Sequence, residues 1–365
     1  MKNFLFRRIF IQREALPYPL TARIMARTQA PYEIIDDPRV IKEELASSSD
    51  PIGEGKRILY LTVQKGKFVK PCPCSPGVIS CGYLIINSVL GCPFDCSYCI
   101  LQAYLADPWI TLFVNEEQLE KSLQPLFKGS IPPGLRIGTG ELSDSLALET
   151  LTDQAQRLSQ LFYRSSKAIL ELKTKSIQIE PWLNWPPSSR IVFAWSLNAE
   201  SIAREEERGV PSVSKRIRAA SLLAQQGYHL GFHFDPLVYF EKWEQEYEQV
   251  IRELLQQIPA RLIRWISLGC LRYPADFKKI IFARFRNRAI FAQEMVPGRD
   301  GKFRYFKPLR LRIYSRIYEM LRAYGGEAIP VYLCMEDAEV WEKIIKKKPE
   351  GKKDALHLFA PPAID

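Results

Sequence analysis

The sequence predicts an α/β protein: six parallel strands curled into a partial (β/α)6 barrel, with an N-terminal layer before it and a C-terminal α+β extension after it. Three observations carry that expectation. From Tyr83 onward, apolar strand-like runs alternate with segments of helical period. Three cysteines crowd one loop directly behind the first run, where a parallel sheet places its functional residues. The excess of positive charge falls behind the last run.

Residues 1–82 are expected to pack on the barrel as an extension. Residues 4–11 read as a strand, because their apolar stretch is broken by Arg7 and Arg8 too soon for a leader segment. Pro17 and Pro19 then turn the chain into a helical stretch at 20–27. Residues 47–55 form a loop by their turn residues, and 57–63 have strand character. Residues 67–81, rich in proline and cysteine, approach the barrel.

The barrel is expected over 83–275. Its strands are placed at 83–90, 135–139, 168–175, 190–198, 229–236 and 262–271, with helices at 145–163, 213–226 and 241–258 between them. Strands separated by helices imply parallel pairing through right-handed crossovers. Behind them, 276–365 is expected to hold a basic segment, a helix at 309–324 stopped by Gly325 and Gly326, a strand at 328–334 and a helix at 337–346. A lysine-rich tail at 346–353 follows.

With 47% apolar and 25% charged residues in 365, the composition is that of an ordinary globular protein. The absence of an apolar run of about 18 residues argues against a membrane span. Eight cysteines without a pairing pattern, and no secretory leader, imply a reducing, cytoplasmic setting; a monomer is expected. Between Lys278 and Arg316 there are twelve Lys or Arg against Glu294 and Asp300, so 12 − 2 = 10, the net charge of the whole chain. Interleaved with Phe285, Phe291, Phe303, Tyr305 and Phe306, this segment suits a nucleic acid, cations meeting phosphates and rings meeting bases. A solvated basic face whose rings belong to the core is the alternative.

Cys92, Cys96 and Cys99 stand at C-x3-C-x2-C spacing. Three thiolates on one tight loop suit three irons of a 4Fe–4S cluster, leaving the fourth iron open for a ligand. Zinc, or buried free thiols, are the alternatives; structural zinc sites usually draw four ligands from two paired half-sites, and no second C-x2-C exists here. His229 and His233 lie four residues apart on an expected strand, roughly 13 Å, too far to share one metal.

The cysteine spacing resembles the signature of the radical S-adenosylmethionine (radical SAM) enzymes. Cys72-Pro73, Cys81-Gly82-Tyr83, Gly91 to Tyr98, and Cys99-Ile100-Leu101-Gln102 together resemble the spore photoproduct lyase family. So do Ala15 to Leu20, Gly140-Glu141-Leu142-Ser143-Asp144, Ser196 to Glu200, and Gly227-Tyr228 with Gly231-Phe232. The resemblance implies that SAM binds the open iron and is cleaved to a 5′-deoxyadenosyl radical. That radical would abstract hydrogen from a nucleic-acid base, most simply in repair of a DNA photoproduct, with a one-electron donor such as flavodoxin or ferredoxin.

Carried over by position, Lys175 and Ser196 would hold the SAM carboxylate. Glu141, in Gly138-Thr139-Gly140-Glu141, resembles the turn that binds the SAM amino group; lining of the substrate cavity is its other reading. His233, near Asp235 at a strand end, is a candidate SAM or substrate contact, and Arg304-Tyr305 resembles the nucleic-acid-contacting pair. Tyr98 and Glu141 are the candidate catalytic residues, Tyr98 as one member of a tyrosine relay whose other position is Ile100. Glu141 also stands where the family's hydrogen-donating cysteine aligns, and a carboxyl O–H is too strong a bond for that task. One of Cys74, Cys81 or Cys270 is a candidate replacement; packing or structural roles are the alternative for the upstream cysteines Cys72, Cys74 and Cys81. Another radical reaction, or a non-enzymatic iron–sulfur nucleic-acid-binding protein, are the competing readings.

Overall fold

In the computed structural model the described residues are 6–128, 132, 134–163, 168–286 and 288–346. The six expected runs all form strands: β1 (Leu84–Ile86), β2 (Arg136–Gly138), β3 (Ile169–Thr174), β4 (Ile191–Ser196), β5 (His229–Leu237) and β6 (Ile263–Cys270). They pair in chain order and in parallel. Two further strands complete the sheet. β7 (Val331–Leu333), expected in the extension, adds parallel to β6, and Val69–Pro71 adds antiparallel to β1. The sheet thus has eight strands and one antiparallel edge, against the six foreseen.

Burial on both faces explains why these runs read as nearly continuous apolar stretches. Leu170, Leu172, Val192, Phe193, Trp195, Phe232, Trp265 and Ile266 are all fully buried. Each such side chain is worth roughly 1.5–3 kcal/mol relative to an exposed one. The helices α1 (Gln154–Tyr163), α2 (Val213–Gln225), α3 (Trp243–Gln257) and α4 (Lys307–Gly325) pack against the strands or one another. The Ser212 hydroxyl caps the start of α2 by accepting from the Lys215 amide.

Three local expectations are corrected. The single strand at 83–90 divides: after β1 the chain leaves the main sheet, and Val89–Leu90 pairs instead with Ile110–Phe113. The helix at 145–163 breaks at Asp153, which takes a left-handed conformation (φ 53°) and binds Arg27 at 2.5 Å. The loop at 47–55 ends in a helical turn, Pro51–Gly55, capped by the Asp50 carboxylate on the Gly53 amide at 2.9 Å.

The N-terminal layer is a second sheet, of order Tyr32–Ile35, Arg8–Gln12, Ile58–Thr62, Ile110–Phe113, Val89–Leu90. Its first four strands are parallel. Ile9, Leu59, Leu61, Ile110 and Leu112 form a core separate from that of the main sheet. The described part of the expected first strand runs from Arg8 to Gln12. Most of the lysine-rich stretch at 346–353 lies outside the described residues.

Candidate active site

Because β1 to β6 run in parallel, their carboxyl ends share one edge of the sheet, and the segments behind them meet there. The cysteine loop follows the first strand. Gly91 opens it in the left-handed region (φ 91°), its amide bonded to the Leu142 carbonyl at 2.9 Å; a side chain would strain that backbone. The Cys99 amide donates to the Cys96 carbonyl at 3.1 Å, closing the turn. Lys56 Nζ donates to the carbonyls of Cys92 (3.0 Å) and Phe94 (2.7 Å). Gln102 Nε2 donates to those of Cys96 (2.9 Å) and Ser97 (3.1 Å). Loop carbonyls are therefore satisfied from two sides, fixing the three cysteines along one cavity wall. Burial pushes the Cys92 thiol up to about 12 and Cys96 well above the usual thiol range.

The same cavity is lined by Tyr98, Glu141, Asp144, Lys175 and Ser196. Asp144 ties the segment behind β2 to the end of β3, accepting from Thr174 Oγ1 (2.6 Å) and the Lys175 amide (2.7 Å). Gly140 makes room for this approach: a Cβ there would stand 2.6 Å from the Lys173 carbonyl oxygen. Glu141 pairs with Lys173, whose ammonium it raises further above its ordinary range although burial opposes this. Lys175 Nζ lies 3.1 Å from Glu207 Oε1. Glu207 also accepts from Tyr98 and Arg216. Burial opposes its charge, but Lys175, Arg216 and the Tyr98 hydroxyl outweigh that and hold it at about 2.

A second cavity adjoins the first, sharing Ile100, Leu101, Glu141, Lys173, Ser196 and Arg272. Its wall carries four thiols, Cys72, Cys74, Cys81 and Cys334. Cys72 and Cys74 interact, which lowers the thiol of Cys74 and raises that of Cys72. The same cavity is lined by a buried charged group. Glu171 Oε1 lies 2.7 Å from His233 Nε2 and accepts from Trp265 Nε1 at 3.1 Å. Arg136 Nη1 lies 3.9 Å from its other oxygen. Burial opposes ionisation of Glu171, but His233, Arg136 and Lys173 hold it at about 2. Arg272 binds Asp235 through two bonds, 2.9 and 3.1 Å.

The structure thus brings together Cys92, Cys96, Cys99, Tyr98, Glu141, Lys175 and Ser196. His233 lines the second cavity and not the one that holds the cysteine triad; it stands beside Ser196 in the pairing of β4 with β5, and Ser196 and Glu141 line both cavities. Tyr305 is fully buried, its hydroxyl accepting from the Tyr239 amide at 3.0 Å. Arg304 is 8% exposed and paired with Asp300 at 2.6 Å. As folded, the pair expected to touch nucleic acid is occupied within the protein. Eight of the twelve cations at 278–316, including Arg284, Arg310 and Arg316, have carboxylate partners within 4.0 Å. Much of the segment's basicity is therefore balanced by acids from elsewhere in the chain, and Phe285 and Phe291 belong to the core. Cys270 is buried at the end of β6 and lines neither cavity.

Glu207, Arg216, Arg136 and Glu171 were not foreseen. For Glu171 and Lys173 a signal existed: both sit at period two within the apolar run of β3, which puts two charges on one face of a buried strand.

A cysteine triad on the carboxyl edge of a largely parallel sheet, open to paired cavities lined by fixed charges, is here the site of an enzyme, and the relatives that follow make it one of the radical SAM lyase type. The family profile described as "Spore photoproduct lyase" matches residues 4–308, and the chain belongs to that family. It is 26% identical to the spore photoproduct lyase of Geobacillus sp. (strain Y412MC61) over 346 residues, 90% of this chain and 98% of the relative. Against that of Bacillus subtilis (strain 168) it is 29% identical over 194 residues, 52% of this chain and 57% of the relative. Solved structures share the fold. A cysteine-to-alanine mutant of spore photoproduct lyase superposes with a TM-score of 0.80 at 21% identity, covering 91% of this chain and 100% of that one. A spore photoproduct lyase complexed with dinucleoside spore photoproduct gives 0.78 at 21%, with the same coverage. A double mutant with bound AdoMet and the same dinucleoside gives 0.75 at 20%, covering 91% of this chain and 99% of that one.

Proposed function

We propose that the chain holds a 4Fe–4S cluster through Cys92, Cys96 and Cys99, binds SAM beside it, and acts on a nucleic-acid base as a DNA photoproduct lyase. The observation that carries this reading is that the three thiols share one cavity with Glu141, Lys175 and Ser196. Three thiols on one loop suit a cluster, which spreads its sulfurs over separate irons, better than zinc, which draws four ligands from paired half-sites. The solved relatives with AdoMet and dinucleoside spore photoproduct support the choice of cofactor and substrate class. On this reading β1 to β6 make up a partial (β/α)6 barrel at 83–275. Val89–Leu90 and Ile110–Phe113, from within that span, join the sheet of the 1–82 extension, and Val331–Leu333 of the C-terminal extension adds to β6.

When bound, cluster and SAM supply a 5′-deoxyadenosyl radical. The protein's own part is placement and hydrogen return. Glu207 meets two cations, Lys175 and Arg216, so the trio keeps one formal positive charge (2 − 1), which with the Ser196 hydroxyl suits the SAM carboxylate. Glu141 faces both cavities and suits the SAM amino group. Tyr98, donating to Glu207, has its phenol fixed at the same wall. Hydrogen return falls to the thiol wall: an S–H of Cys74, Cys72 or Cys81 gives its hydrogen atom to a carbon radical, forming C–H and a thiyl. A flavodoxin- or ferredoxin-type donor and a solvent proton then restore the thiol. His233 and Arg272, across the second cavity, suit the substrate. A base must leave its stack to reach this depth.

The test is anaerobic reconstitution, reduction with dithionite, and measurement of 5′-deoxyadenosine from SAM with and without UV-irradiated DNA. Deoxyadenosine together with restored thymine is expected. SAM cleavage without thymine would assign a different radical reaction, a reading favoured by Glu141 standing in ion pair with Lys173 where a donor cysteine aligns. No cleavage under any condition would leave only an iron–sulfur nucleic-acid-binding role.

A further inference from the structure

We propose that Arg284, in the basic C-terminal segment, is a positioning residue of the cluster site that holds the cysteine loop and sets the charge felt by the cluster. The inference rests on the cluster reading above. Arg284 sits on the helix Phe277–Phe285 with its side chain 5% exposed. Its Nε and Nη2 bind the two oxygens of Asp50 at 2.7 and 3.1 Å. Nη1 and Nη2 both bind Asp95 Oδ1 at 3.1 Å, and Nη2 binds Oδ2 at 3.1 Å. Nη1 also donates to Gln102 Oε1. One planar fork thus spans three chain segments, which a lysine's point charge could not do.

Two of these partners belong to the cysteine loop. Asp95 immediately precedes Cys96, and Gln102 passes the restraint on, its amide nitrogen holding the Cys96 and Ser97 carbonyls. Lys56 secures the Cys92 side and lies 3.9 Å from Asp95. Lys56 and Arg284 against Asp50 and Asp95 sum to zero formal charge (2 − 2), so the ions that hold the loop add no net charge beside it. Removing Arg284 leaves one uncompensated negative charge beside Cys96. That charge opposes addition of an electron to a cluster there, since reduction potentials follow the local net charge.

The test uses the reconstituted full chain, titrated anaerobically and followed by EPR and visible absorption, with thermal melting of the cluster-free protein in parallel. Arg284→Gln is expected to lower the reduced-to-oxidised ratio at fixed potential about tenfold, a shift of about 59 mV for one electron. Arg284→Lys should recover part of that shift while leaving the EPR signal broadened by a looser loop. Asp50→Asn should move the potential the opposite way, which a general loss of folding would not do. Unchanged potentials in both Arg284→Gln and Asp50→Asn, or shifts of the same sign, would overturn the proposal. A wild-type chain that takes up no iron would instead overturn the cluster reading on which it rests.

Discussion

Lys175 and Glu207 form an ion pair of 3.1 Å, with the ammonium 5.6 Å from the centre of the Tyr98 ring. Glu207 reaches this place because Glu207–Arg208 pairs antiparallel with Asp95–Cys96, Glu207 lying opposite Cys96. The backbone register that fixes the middle cysteine therefore also fixes the carboxylate under the candidate SAM ligand. Arg216 closes the group from α2, donating also to the Ser196 carbonyl at 2.8 Å.

Acid should unfasten this group. The carboxyls of Glu207 and Glu171 are held at about 2, below the ordinary 4.5. A depressed folded value gives stability that is complete above 4.5 and lost as pH falls through the folded value. Below pH 4.5 each group should cost about 1.4 kcal/mol per pH unit, levelling near pH 2. Denaturant melts of the wild type and Glu207→Gln from pH 7 to 3 should therefore converge on acidification. At pH 7 the variant should be about 3–5 kcal/mol less stable, because Lys175 and Arg216 lose their buried partner. Parallel curves would show that Glu207 does not carry this charge.

Glu141→Ala removes the partner of Lys173 and the group proposed for the SAM amino nitrogen. A lost bond to a charged group is worth roughly 1.5–3 kcal/mol, so the KM for SAM should rise ten- to a hundredfold in the anaerobic cleavage assay. Glu141→Gln should recover part of it. An unchanged KM with a fall in thymine yield would move Glu141 to the substrate side.

The main sheet was largely legible because β3 to β6 are apolar runs of ordinary length buried on both faces; its edge strand Val69–Pro71, three residues long with Lys70 and Pro71 exposed, was not. The cysteine loop was legible because ligand spacing is a local property. The second sheet was not, since Tyr32–Ile35 and Ile110–Phe113 are four-residue strands whose neighbours come from distant sequence. Partners of charges were hidden for the same reason. Glu205, Glu206 and Glu207 look alike as a solvated run, yet Glu205 is 59% exposed while Glu207 is sealed between two cations. Likewise the cations at 278–316 read as a free basic face because their carboxylates, such as Asp50, Glu244 and Glu336, lie far away in the chain.

Gly140→Ala tests the close approach of the segment behind β2 to β3. A Cβ there would meet the Lys173 carbonyl oxygen and Cβ, both at 2.6 Å, so something must shift. The nearest movable group is the turn carrying Glu141, which the Asp144 bonds to Thr174 and the Lys175 amide oppose. Misplaced packing of this kind costs about 1–3 kcal/mol. Loss of stability together with weaker SAM binding is expected in a melt and a binding titration; a normal melt with normal SAM affinity would show that the turn yields freely.

The thiol wall supplies the sharpest functional test, because thiol hydrogens exchange with solvent and hydrogens on carbon do not. If a thiol of the second cavity returns the hydrogen, turnover in D2O should place one deuterium in the repaired base. Cys74 is the first thiol to remove: it lines the second cavity beside Cys72, its amide donating to the Cys72 carbonyl at 2.8 Å. Cys74→Ala should sharply reduce both deuterium uptake and product yield while SAM cleavage continues, with abortive products taking up the difference. Cys270→Ala should behave as wild type, since Cys270 lines neither cavity. Full deuterium uptake in Cys72→Ala, Cys74→Ala and Cys81→Ala alike would remove these thiols as the source and pass the role to another exchangeable group on the wall. Tyr83 and Tyr332, whose phenols line the same cavity, are the next to substitute, by phenylalanine.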